Sequence, residues 1–156
     1  MPCLALDALV ELSAPQCGDY AAPDTWLAFA RDVREGDHVA SADGGAPHRV
    51  VRIVRIDARG GWPLARYLGL RADPLQRVRV GNAWVRVGDL PGADVRFEPC
   101  EGVAAFFLDG GHALRADGVA CLAYSTADPP YTAVRVRFGT LSLTVRARGH
   151  SLGAGR

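Results

Sequence analysis

Residues 77–87 read Arg-Val-Arg-Val-Gly-Asn-Ala-Trp-Val-Arg-Val, and they constrain the chain more than any other stretch. Val78 and Val80 alternate with arginine before Gly81-Asn82, and Val85 and Val87 resume the alternation after it. A period of two on both sides of a two-residue glycine turn predicts a hairpin with one buried face. The pattern recurs at 134–145, where Val134, Val136 and Phe138 precede Gly139-Thr140, and Leu141, Leu143 and Val145 follow. Asp109-Gly110-Gly111 and Asp117-Gly118 mark two further turns around a short strand from His112 to Ala116. Residues 50–56, Val-Val-Arg-Ile-Val-Arg-Ile, read as a strand buried over most of its length. One helix is a candidate, because Trp26, Phe29, Ala30 and Val33 fall at i, i+3, i+4 and i+7 behind Asp24 as N-cap. The stretch is short for a helix and also fits a strand running into Arg34-Glu35-Gly36-Asp37. The expectation is one all-β domain of short antiparallel strands.

Length agrees with one domain. A chain of 156 residues buries roughly 70% of its unfolded surface, so it needs no disulfide or metal staple. Hydrophobic residues make up 49% of it and charged residues 22%, a globular balance. No apolar run is long enough for a membrane-spanning helix. The N-terminus has no basic residue before its apolar stretch and reaches an acid at Asp7, so a cytoplasmic chain without a secretory signal is expected.

The net charge is only +1. All eighteen basic residues are arginine, a bias that fits genome base composition. After Asp128 there is no acid, while Arg135, Arg137, Arg146, Arg148 and Arg156 follow. The C-terminal hairpin is therefore a basic face, and 146–156 is expected as a basic flexible tail beyond a domain spanning 1–145. The cysteines, Cys3, Cys17, Cys100 and Cys121, form no CxxC pair and do not cluster with histidine. Neither a zinc site nor a disulfide framework is expected, and two of the four are expected in the core. Phosphate-binding glycine loops and HExxH are missing from the sequence, so no cofactor is expected.

What remains is an order of blocks. Cys3 stands almost at the N-terminus, ahead of Leu4-Ala5-Leu6-Asp7-Ala8-Leu9-Val10. Asp32-Val33-Arg34-Glu35-Gly36-Asp37-His38-Val39 follows, then Leu70-Arg71-Ala72-Asp73-Pro74-Leu75-Gln76, with Trp84-Val85 and Asp89-Leu90 behind it. The last block runs from Val103 through Phe107-Leu108-Asp109-Gly110-Gly111-His112 to Asp117-Gly118-Val119-Ala120-Cys121. This order resembles the Hedgehog/intein (Hint) superfamily, most of all its Vint branch, whose closing Phe-Gly-Thr has a counterpart in Phe138-Gly139-Thr140.

The resemblance covers about residues 3–141 and implies a horseshoe of two pseudo-symmetric halves with the N-terminus in its cleft. It also implies self-processing, single-turnover at most. Cys3 would attack the carbonyl of Pro2, turning the Pro2–Cys3 amide into a thioester, and the chain's own upstream polypeptide would be the substrate. His112 would be the proton-transfer partner, with Asp73 a further candidate. Other domains of a longer chain are the partners implied; neither nucleic acid nor a membrane is.

The sequence departs from the family where the amide proton is handled. Aligning on Pro74 puts Asp73 where the family has Thr and Gln76 where it has His. A glutamine forms hydrogen bonds and transfers no proton, so the implied activity is weak or absent. Gln76 itself reads as a strand residue. Leu122-Ala123 stands in place of the terminal His-Asn of splicing inteins, so asparagine cyclisation is not expected. The alternative is a degenerate scaffold that binds protein or nucleic acid through Arg135 and Arg137.

Overall fold

The computed structural model describes residues 2–15 and 24–126, together with the backbone of strands at 134–138 and 141–145. The sixteen strands are β1 (Leu4–Ala5), β2 (Leu9–Ser13), β3 (Thr25–Phe29), β4 (His38–Val39), β5 (His48–Asp57), β6 (Trp62–Tyr67), β7 (Leu70–Ala72) and β8 (Arg77–Val80). They continue with β9 (Ala83–Arg86), β10 (Asp94–Glu98), β11 (Gly102–Leu108), β12 (Ala113–Ala116), β13 (Val119–Leu122), β14 (Tyr124–Ser125), β15 (Val134–Phe138) and β16 (Leu141–Val145). Two short 3-10 turns, Ala30–Asp32 and Val87–Asp89, complete the regular structure among the described residues. None of those residues lies in a helix long and apolar enough to cross a membrane.

One curled sheet holds fourteen of the strands. Its path runs β10-β6-β7-β1-β11-β5 and then β4-β2-β12-β13-β8-β9, with β3 beside β2 and β14 beside β11. The long strand β5 joins the two arms, pairing β11 along one part and β4 along another. This is the horseshoe that the resemblance implies. Strands β15 and β16 pair with each other as a separate two-stranded sheet, Arg135 opposite Thr144 and Arg137 opposite Ser142. The turn at Gly139-Thr140, the tail at 146–156, Cys17 and the side chains of Arg135 and Arg137 lie outside the described residues.

The predicted hairpins form because their turns suit them. Gly81 has φ +61° between β8 and β9, and Asp117 (φ +47°) and Gly118 (φ +76°) join β12 to β13. Positive φ at both central residues is the type I′ geometry that Asp-Gly adopts at little cost. The block at 32–39 is a folding device of the same kind. Gly36 takes φ +95°, the Asp37 carboxylate accepts the Arg34 N–H at 2.8 Å, and Val50 N–H donates to the Asp37 carbonyl at 2.7 Å.

Of the two readings left open for the stretch behind Asp24, the strand holds for residues 25–29, because each pairs with a residue of β2, from Leu9↔Phe29 to Ser13↔Thr25. A ladder of that length outweighs a short apolar period. The strand at 48–57 exists, but Val50 alone is buried and its other residues are half-buried or exposed, since it runs across the bend between the arms. The long strand buried at every residue is β11. Ala104, Phe106 and Leu108 face the larger core with Leu4, Val10, Val78 and Leu114. Val103, Ala105 and Phe107 face a second core with Cys3, Ala5, Trp62 and Leu64. A strand covered on both faces is apolar throughout, not alternating.

Candidate active site at the N-terminal strand

β11 brings β1 and β14 together on one edge. Strand β5 occupies one edge of it from Gly102 to Leu108. Both β1 and β14 therefore lie on the opposite edge, β1 antiparallel with Leu4↔Ala104 and β14 parallel with Tyr124↔Phe107. Extending each register by a residue or two brings Pro2 and Ala123 level with Phe106. The cleft there is lined by Pro2 from one converging segment, by Cys121, Leu122, Ala123 and Tyr124 from the other, and by Gln76 just ahead of β8. Leu4, Ala104, Phe106 and Leu114 form its apolar floor.

Cys3 sits at this junction, 1% exposed, with its side chain in the second core. Strand β7 lies on the other side of β1, Ala72 opposite Leu4, which sets Asp73 level with Cys3. The Asp73 N–H donates to the Cys3 carbonyl at 3.0 Å. The Asp73 side chain is 5% exposed; its Oδ2 accepts Trp62 Nε1–H and its Oδ1 accepts the Leu75 N–H, each at 2.8 Å. Burial raises the Asp73 carboxyl above its ordinary value despite those two donors. Burial first, and the Asp73 charge second, push the Cys3 thiol far above its own. The pair is a thiol that ionises with difficulty beside a carboxyl that holds its proton more tightly than usual. Such a carboxyl accepts and returns a proton more readily than an exposed one.

Gln76 is more than a strand residue. It precedes β8, is 2% exposed, and donates through Nε2 to the carbonyls of Leu122 at 2.7 Å and Arg77 at 2.9 Å. It therefore ties the loop after Asp73 to the segment that converges on Pro2. His112 is exposed just before β12, and its carbonyl accepts the Ala123 N–H. The structure thus brings Cys3 and Asp73 together and joins His112 to the cleft through Ala123. Sequence reasoning missed Trp62, which anchors the Asp73 carboxylate, and the cleft positions of Cys121, Leu122 and Tyr124. Nothing local marks Trp62; its role depends on a pairing across the sheet.

Of the cysteines expected in the core, Cys3 and Cys121 are buried, and Cys100 is half-buried. Cys121 donates its thiol to the Val119 carbonyl at 3.4 Å, and burial pushes that thiol up to about 12.

No protein-family model matches the chain, and no curated protein matches it. Solved structures do. The DnaB intein from Synechocystis sp. PCC 6803 is similar at a TM-score of 0.57 and 14% identity, over 79% of this chain and 99% of that one. The VidaL intein is similar at 0.57 and 14%, over 78% and 96%. The Msm DnaB1 intein splicing domain, solved with zinc bound, is similar at 0.52 and 21%, over 76% and 98%. At such identities the likeness is one of fold.

Proposed function

We propose that this chain, which has the Hint fold of the inteins, is an autoprocessing domain that acts on the polypeptide upstream of Cys3. The observation carrying the proposal is the placement of Cys3, beside a buried carboxyl and at the point where Pro2 meets the segment at 122–124. Within that fold, the order of blocks from Cys3 to Cys121 supports the Vint branch.

The chemistry is an N–S acyl shift. Cys3 Sγ adds to the Pro2 carbonyl carbon while its proton passes to the Asp73 carboxylate. The C–N bond then breaks as Asp73 returns the proton to the Cys3 nitrogen. The product is a thioester between the Pro2 acyl group and Cys3 Sγ, with a free amine on Cys3. In an extended strand the N–H and C=O of one residue point to the same edge. The Cys3 carbonyl meets the Asp73 N–H, so the scissile nitrogen faces Asp73 as well. His112, beside Ala123 on the far side of the cleft, is the second proton carrier.

Gln76 occupies the place of the family's histidine and carries no proton, which leaves Asp73 with both transfers and makes the reaction slow. Leu122-Ala123 offers no asparagine to cyclise, so the outcome is release of the upstream segment, not splicing. The test is a folded tag placed ahead of Met1 in the full chain. Its release requires Cys3, and Cys3→Ala abolishes it. Release that persists in that variant contradicts the proposal.

A further inference from the structure

We propose that a second copy of this chain docks on the free edge of β10, the two strands joining antiparallel about a two-fold axis at Val95; neither Cys3 nor Asp73 takes part. Strand β10 ends the path of the large sheet and pairs with β6. Among the described residues its other edge meets no strand. Asp94 to Phe97 are exposed, Val95 at 46% and Phe97 at 73%. An edge left open in this way is a template for another strand. The neighbouring hairpin decides which groups it offers. Tyr67 and Leu70 flank the two-residue turn Leu68-Gly69, whose φ angles are both positive, so they exchange both main-chain bonds. Counting back along β6, Leu64 and Arg66 turn theirs toward β10, where they meet Arg96 and Asp94. Val95 and Phe97 therefore point their N–H and C=O groups outward. Pro63, opposite Phe97, has no N–H and sits where none is needed.

Charge selects the partner and the register. Asp94 and Arg96 stand on one face of β10, exposed, and bond to each other at 2.8 Å. Glu98 on the same face is held by Arg66 and Arg71. For two copies to bond, residues with outward groups must lie opposite one another. Setting Val95 opposite Val95 does this, and it places Asp94 of each copy beside Arg96 of the other, in pairs whose side chains approach closely. An axis at Arg96 sets Arg96 against itself and Asp94 against Glu98, and an axis at Asp94 sets that carboxylate against itself. An axis at Phe97 puts Pro99, which has no N–H, opposite Val95 and draws Glu98 from its arginines. The Val95 register thus gains two main-chain bonds and two ion pairs with no like charges opposed. On the other face it lays Phe97 of each copy against Ala93 of the other, beside the two valines. The Phe97 ring is already ordered for this, because it lies against Gly61, where an added Cβ would overlap it. The contact uses the same edge of both copies, so it closes at two. A strand of five residues buries little surface, so the dimer is weak and depends on concentration.

The test is sedimentation of the full chain over a wide range of concentration at low salt. The expected result is a monomer that gives way to a dimer as concentration rises. Asp94→Arg and Arg96→Asp each turn both ion pairs into repulsions, and each weakens the dimer about tenfold or more. Mixed in equal amounts, the two variants restore both pairs and form a heterodimer with close to the native affinity. Both substitutions in one chain restore the homodimer, which also shows that changes at these exposed positions leave the chain folded. Recovery by either route supports the proposal. A chain that stays monomeric at every concentration, a dimer that neither single substitution weakens, or variants that neither mixing nor combining restores, overturns it.

Discussion

The Asp73 N–H donates to the Cys3 carbonyl at 3.0 Å, which locks the residue before β1 to the residue after β7. That bond sets beside Cys3 a carboxyl whose charge, after burial, raises the Cys3 thiol. The chemistry proposed for the chain depends on this pair more than on any histidine.

Substitution ranks the two proton carriers. Asp73→Asn keeps the shape but ends proton transfer, and it slows tag release about 100-fold or more, the usual weight of a positioned acid–base group. His112→Ala costs less, because residue 112 is exposed just before β12 while Asp73 is buried. Release rates of the two variants, read as intact mass over time, check the order. A larger loss in His112→Ala reverses the assignment.

Buried thiols give the fold an alkaline weakness. Cys121 is pushed up to about 12 by burial, and Cys3 is raised as well, from an ordinary value of 9.0. Above pH 9 the unfolded chain loses these protons while the folded chain keeps them. Stability is therefore intact below that value and falls as pH rises toward 12, by about 1.4 kcal/mol per unit for each thiol. Denaturant midpoints at pH 8 and pH 10 measure the drop, and Cys121→Ala makes it shallower.

Two backbone positions act in opposite directions. Leu68 joins β6 to β7 with φ +49° and is 74% exposed. Leu68→Asn relieves the left-handed strain and uncovers no core, raising stability by about 0.5–1 kcal/mol. At Gly102 an added Cβ would lie 2.6 Å from the Ile56 carbonyl oxygen and 2.8 Å from Leu6 Cδ1. Gly102→Ala therefore destabilises the β5–β11 pairing by about 1–3 kcal/mol. Thermal unfolding of both variants checks the signs.

The sequence carried the parts of the fold that are local. Gly81-Asn82 and Asp117-Gly118 announce their hairpins because a positive φ and a period of two are written within a few residues. Residues 25–29 read two ways, since their apolar spacing also fits a helix until β2 is there to pair with them. The bend of β5 and the double burial of β11 depend on partners far along the chain, so periodicity could not reveal them. Asp73 was legible as a turn residue, and its carboxylate does accept the Leu75 N–H two positions on. Its place beside Cys3 needed the β1–β7 pairing.

The basic hairpin has its own test. If Arg135 and Arg137 on β15 bind an anionic partner, Arg135→Ala with Arg137→Ala weakens binding of a single-stranded oligonucleotide or a polyglutamate peptide. Affinity then falls steeply as salt rises. The autoprocessing account predicts no such binding at physiological salt, and titration from low to high salt decides between the two.

The most direct measurement treats the full chain, with a folded tag ahead of Met1, with hydroxylamine and follows intact mass. The account predicts a tag that ends in a Pro2 hydroxamate, formed slowly by the native sequence and not at all by Cys3→Ala. A mass unchanged by hydroxylamine in the native sequence, or a hydroxamate formed without Cys3, contradicts it.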